Sequence, residues 1–276
     1  MAEPQFSEAQ LQQAANAAYV RATYLATGRW ILPIVPSLNA EYLLGWDTGF
    51  DFWWLPQPPR LTDEGCNFFL QYKLSSHLTS ANAAEWAAWK KPYFRFKIPH
   101  LEKDSTTKKY VDDYHQWDRL KALAAANYPT FYATNWTLER NKLAEALDNG
   151  SLLNELVLLD VATVNQKHKY ATFTLDSAGF FLHSDPTPAT RTPWGTLLTS
   201  LLERPSLSLG ESVTRLIALI VEIDGRESPL GRKLVQIDQM FGNIPRSIRP
   251  RIKFAHLAAL LHFHWGVSLL WLPQVP

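Results

Sequence analysis

The chain has 276 residues, near the upper limit for one hydrophobic core, so one large domain or a domain with an appendage is expected rather than two equal halves. An apolar fraction of 46% with 19% charged residues excludes a disordered chain, and a single cysteine, Cys66, excludes a disulfide framework within it. A net charge of +1 excludes a global electrostatic pull toward nucleic acid, so any such affinity must come from local clusters.

Residues 7 to 27 read as a helix: Ser7 is an N-cap with Gln10 three residues on, alanines are frequent, and Gly28 closes the segment. A short apolar run, 30 to 35, follows among Pro33 and Pro36. Residues 37 to 45 span about two helical turns and bring Glu41 just ahead of Asp47. Two apolar runs come next, 47 to 54 and 66 to 73, joined by a Pro-rich turn. On a strand Asp47, Gly49, Asp51 and Trp53 share one face, and so do Gln71 and Lys73. Paired as a hairpin, these runs would gather carboxylates, an amide and an ammonium on one patch.

Aromatic and basic residues alternate from 93 to 98, as in a strand with one buried face. Residues 109 to 127 read as a helix because Tyr110, Tyr114, Trp117, Leu120, Leu123 and Ala124 recur at spacings of three and four. A strand at 130–134, a helix at 138–147, a strand at 156–161 and a hairpin with arms 170–174 and 179–183 complete the first part. Beyond Ser184 a Pro- and Thr-rich linker leads into segments read as helices: 194–203, 208–224, 228–241 and 251–271. The expected fold class is therefore α/β, a mixed central sheet flanked by helices over residues 1–184, with a helical C-terminal region over 185–276. The apolar segment 252–272 contains Lys253, His256, His262 and His264, which favours a buried helix over a membrane span. With one cysteine and no charged-then-apolar leader, the expected compartment is the cytoplasm.

Phosphodiester hydrolysis needs a hard divalent cation to polarise the phosphoryl oxygen, and hard cations want carboxylate oxygens, while a nearby lysine stabilises developing charge or orients the attacking water. Glu41, Asp47, Asp51, Gln71 and Lys73 supply these groups in the order helix, strand, strand. Lys90, Lys91, Arg95 and Lys97, interleaved with Tyr93, Phe94 and Phe96, are the candidate nucleic-acid contacts, although such runs are often only solvated faces. Asp47 can equally cap the turn after Gly45, and Glu41 can be an exposed helix charge. His168 and His183 are more simply structural residues than catalytic ones. No zinc spacing, Walker loop or nucleophile elbow is present, which argues against zinc, ATP-driven and serine-hydrolase chemistry.

In this order of residues the chain resembles the PD-(D/E)xK nuclease superfamily. The acid on a first helix matches Glu41, the strand aspartate matches Asp47 or Asp51, and the (D/E)xK tripeptide reads Gln71-Tyr72-Lys73. The glutamine in place of the acid is similar to Mrr-type restriction endonucleases, and Gln116 in Tyr114-His115-Gln116-Trp117 resembles a later-helix glutamine that lies near the site in some of these enzymes. The resemblance covers residues 7 to 160. It implies a restriction-endonuclease-like core, Mg²⁺ or Mn²⁺ held by Asp47, Asp51 and Gln71, Glu41 in support, and Lys73 positioning water. It also implies cleavage of DNA in defence against foreign DNA, RNA being an alternative partner, with the C-terminal helices mediating self-association or a partner protein. Because Gln71 is neutral, the alternative is a non-catalytic subunit that binds nucleic acid or a partner on a degenerate nuclease fold.

Overall fold

The computed structural model describes residues 1–27, 32–34, 49–51, 64–103, 109–184, 186–242, 246 and 249–274. The fold is α/β, with an open mixed sheet and helices. The chain divides into two compact units, Met1–Ala18 with Leu70–Leu198, and Tyr19–Phe69 with Thr199–Pro276. It passes between them within helix α1 (Glu8–Thr27), after strands β1 (Leu32–Ile34) and β2 (Gly49–Asp51) within strand β3 (Glu64–Lys73), and again within the helix Trp194–Leu202.

The start of α1 is the expected capping box. Gln10 N–H donates to Ser7 Oγ at 3.1 Å and Ser7 N–H donates to Gln10 Oε1 at 2.9 Å, satisfying two donors that the first turn leaves over. In the first unit α1 buries Leu11, Ala15 and Ala18, a stripe at helical spacing, and carries Glu8 in its first turn.

The first unit then runs through β4 (Ser76–Leu78), α2 (Trp86–Trp89), β5 (Tyr93–Lys97), β6 (His100–Lys103), β7 (Tyr110–Asp113), α3 (His115–Ala125), β8 (Thr130–Thr134), α4 (Arg140–Asn149) and α5 (Leu152–Glu155). Strands β9 (Val157–Asp160), β10 (Tyr170–Phe173), β11 (Gly179–His183) and β12 (Thr187–Thr192) follow, then α6 (Trp194–Leu202). Its sheet has the order β3, β8, β9, β12, β11, β10, β5, β4. The expected hairpin of β10 and β11 is present, with Tyr170 opposite His183. One face packs Phe94, Phe96, Phe173 and Phe180 in stacked and edge-on pairs.

Two local expectations change. Segment 109–127 begins as a strand, because Tyr110 and Val111 are good β-formers whose backbone pairs with Lys103 and Glu102. The helix starts only after Asp113, whose carboxylate accepts the His115 N–H at 2.9 Å, and it then buries Gln116, Trp117, Leu120 and Leu123. Residues 187–192, read as linker, form β12 despite Pro188. At Pro188 the strand pairs with β11, whereas its pairing with β9 uses Arg191 and Thr192, so the proline sits where the strand is an edge.

In the second unit, β13 (Leu207–Ser208), α7 (Leu209–Asp224), α8 (Pro229–Val235), α9 (Ile237–Met240), α10 (Arg249–Trp265) and β14 (Ser268–Pro273) complete the chain. The segment read as one helix over 251–271 ends at Trp265 because Gly266 turns with φ of 65°, a conformation glycine adopts freely, and the apolar run after it pairs with β3. The C-terminal region thus carries strands as well as helices. Among the described residues β2 pairs with β1, Asp51 opposite Leu32, and not with β3 as a hairpin of the two apolar runs would require. No described helix is long and apolar enough to cross a membrane.

Candidate functional site

The first unit gathers the two residues of the QxK tripeptide and the helix glutamine into one buried cluster. Gln71 and Lys73 leave β3 two residues apart, on one face, and are 1% and 6% exposed. Gln116, on the first turn of α3 and 8% exposed, reaches both: its Nε2 donates to Gln71 Oε1 at 2.7 Å, and its Oε1 accepts from Lys73 Nζ at 3.0 Å. Gln71 Nε2 donates to the Tyr72 carbonyl at 3.0 Å.

Two further residues join them. His100 opens β6, paired with Asp113 across the ribbon, and its Nε2 lies 3.1 Å from Lys73 Nζ and hydrogen-bonds Gln116 Oε1. Glu8, exposed along part of its side chain, is near enough to Lys73 for their charges to couple. Sequence reasoning passed over both. Glu8 looks like an ordinary first-turn acid favoured by the helix dipole. The position of His100 depends on the ribbon register, which no local pattern announces.

Burial dominates the electrostatics. Desolvation pulls the Lys73 ammonium down from its ordinary 10.5 to about 8, against the opposing attraction of Glu8. Gln71 is neutral and adds no attraction of its own to oppose that burial. Glu8 is itself raised by desolvation, with Lys73 pulling it down. His100 is lowered, first by burial of its ring and then by Lys73 and Lys97, while Gln116 and Asp113 act upward. The free amine of Lys73 is therefore more accessible near neutral pH than that of an ordinary lysine; as an amine the group can take up a proton, and as an ammonium it can hold an anionic oxygen.

The other expected site residues fall elsewhere. Glu41 and Asp47 lie outside the described residues. Asp51 lies on β2 in the second unit, and its side chain is also outside them. Among the described residues no three His, Cys, Asp or Glu side chains group as a metal site. Among the described residues, the Glu8 carboxylate and the two hydrogen-bonded amide oxygens near Lys73 do not by themselves form the carboxylate-rich set a hard cation requires.

The basic cluster is largely neutralised. Lys91 Nζ pairs with Asp176 at 2.6 Å, Arg95 with Glu85 at 3.1 Å, and Lys97 with Asp112 at 2.6 Å. Lys90 is the left-handed C-cap of α2. His168 and His183 serve the fold: His168 Nδ1 accepts the Asn165 N–H at 3.1 Å, and His183 Nε2 bonds Thr172 Oγ1 at 3.0 Å.

The chain matches no family model, no curated protein and no solved structure. Its functional reading therefore rests on the cluster around Lys73.

Proposed function

We propose that the chain is a metal-dependent phosphodiesterase that cleaves DNA, a nuclease of restriction-endonuclease type in which Lys73 is the central residue. The observation that carries this reading is Lys73 itself, a buried strand lysine with its amine pulled to about 8 and held by a glutamine of the following helix. As an ammonium it can stabilise charge on a phosphoryl oxygen, and as an amine it can accept a proton from an attacking water. The Mg²⁺ or Mn²⁺ implied by the resemblance has no complete donor set among the described residues, so no step is assigned to it and its requirement is to be measured. A role in defence against foreign DNA follows from the resemblance alone.

The test is plasmid cleavage by the full chain in Mg²⁺, Mn²⁺ or chelator. Wild type is expected to cut only with metal, and Lys73→Ala to be slower by about 100-fold or more. A Lys73→Ala protein that cuts as fast as wild type overturns the reading.

One observation favours a second reading, a non-catalytic subunit that binds nucleic acid or a partner. Gln71 Oε1, the atom standing where the family's second acid would offer a ligand, accepts from Gln116 Nε2. Wild type that cuts nothing under any metal, yet retains DNA with an affinity that falls steeply with salt, selects this reading.

A further inference from the structure

We propose that His100 is a positioning residue for Lys73, and that the ribbon of β6 and β7 is the element that holds the lysine amine in its working orientation. The inference rests on Lys73 being the working group of the site, and its argument is the direction of the hydrogen bonds. The Tyr72 carbonyl can only accept, so the atom Gln71 turns to it is Nε2, and Gln71 Oε1 is left to face Gln116. That oxygen also only accepts, so Gln116 presents Nε2 to it and turns Oε1 toward Lys73 and His100. One backbone carbonyl therefore orients two buried amides in series.

Gln116 Oε1 now faces two nitrogens, and both must approach as donors. Lys73 Nζ donates at 3.0 Å, and His100 donates through Nε2, which selects the tautomer protonated there. The two nitrogens stand 3.1 Å apart on the same oxygen. With Nε2 protonated, His100 makes no hydrogen bond to Nζ; it acts by holding Gln116 Oε1 and by occupying the space beside the amine. A lysine carries four flexible side-chain torsions, and an acceptor held in place by His100 removes part of that freedom.

The ribbon makes this arrangement firm. His100 lies opposite Asp113, and the neighbouring Asp112 receives Lys97 Nζ on one oxygen at 2.6 Å and Lys169 Nζ on the other at 2.8 Å. Two cations, one from β5 and one from the residue before β10, therefore pair with the ribbon strand opposite His100. A glutamine at position 100 can extend an amide N–H to the same Gln116 oxygen, whereas alanine leaves the space beside Nζ open.

The experiment compares wild type, His100→Ala and His100→Gln in two assays. The first requires no cleavage: modification of Lys73 by acetic anhydride, followed by peptide mass spectrometry. Lys73 is expected to react slowly in wild type, several-fold faster in His100→Ala, and at close to the wild-type rate in His100→Gln. In plasmid cleavage, His100→Ala is expected to lose about 10- to 100-fold in kcat with KM within about twofold of wild type, and His100→Gln to recover most of the loss. Unchanged labelling in His100→Ala, or a His100→Gln that behaves like the alanine variant, overturns the inference. If wild type cuts nothing, the nuclease reading fails and the labelling still decides the role of His100.

Discussion

Replacing Lys73 by methionine separates the cost of burying an ammonium from everything else the residue does. The unfolded chain holds the proton up to the ordinary 10.5, the folded chain only to about 8. Below both values the lysine is charged in both states and the folded protein bears the full burial cost. Between them the unfolded state binds one proton more, so stability rises with pH through this window. A difference of roughly 2.5 pH units at about 1.4 kcal/mol each gives about 3.5 kcal/mol, as an upper figure for the relief of that cost. Methionine has similar length, no charge, and leaves Gln116 Oε1 with the His100 donor. The assay is guanidinium unfolding followed by tryptophan fluorescence at several pH values from about 7 to about 10. Lys73→Met is expected to be the more stable protein near pH 7, with wild type closing the gap as pH rises. Parallel curves for the two proteins across that range would refute the reasoning.

Gln116→Leu removes the donor of Gln71 Oε1 and the acceptor of both Lys73 and His100 in a nearly dry setting, and is expected to cost about 2–4 kcal/mol by denaturant midpoint at unchanged slope. Gly65→Ala would place a Cβ 2.5 Å from the Leu272 carbonyl oxygen and as close to the Trp271 ring, so overpacking between β3 and β14 is expected to lower stability by about 1–3 kcal/mol. A shift in midpoint below a few tenths of a kcal/mol in either variant would contradict the corresponding contact.

The legible part of the site was the part that neighbours in sequence determine. Gln71 and Lys73 share a face because strand side chains alternate, and that parity survives folding. Gln116 was also expected near them, from the family-like helix that carries it. The illegible part came from partners far along the chain. His100 reaches Lys73 only because β6 pairs with β7 in a register that sets it opposite Asp113, beside the start of α3. The basic run around Lys91 to Lys97 looked like free positive charge because Glu85, Asp112 and Asp176, which neutralise it, arrive from separate segments.

By itself the sequence determined the local elements whose energetics are local: the capped helix from Glu8, the strand that ends in Gln71-Tyr72-Lys73, the aromatic strand from Tyr93 and the hairpin of β10 and β11. Capping, alternation and turn preference act over a few residues and need no partner. Tertiary structure alone decided where β2 pairs, that residues 110–113 are strand before they are helix, and that the terminal apolar run joins β3 instead of extending α10. It also decided the character of Lys73. A lysine's charge state depends on what surrounds its head group, and Gln71, Gln116, His100 and Glu8 meet there only once the chain is folded.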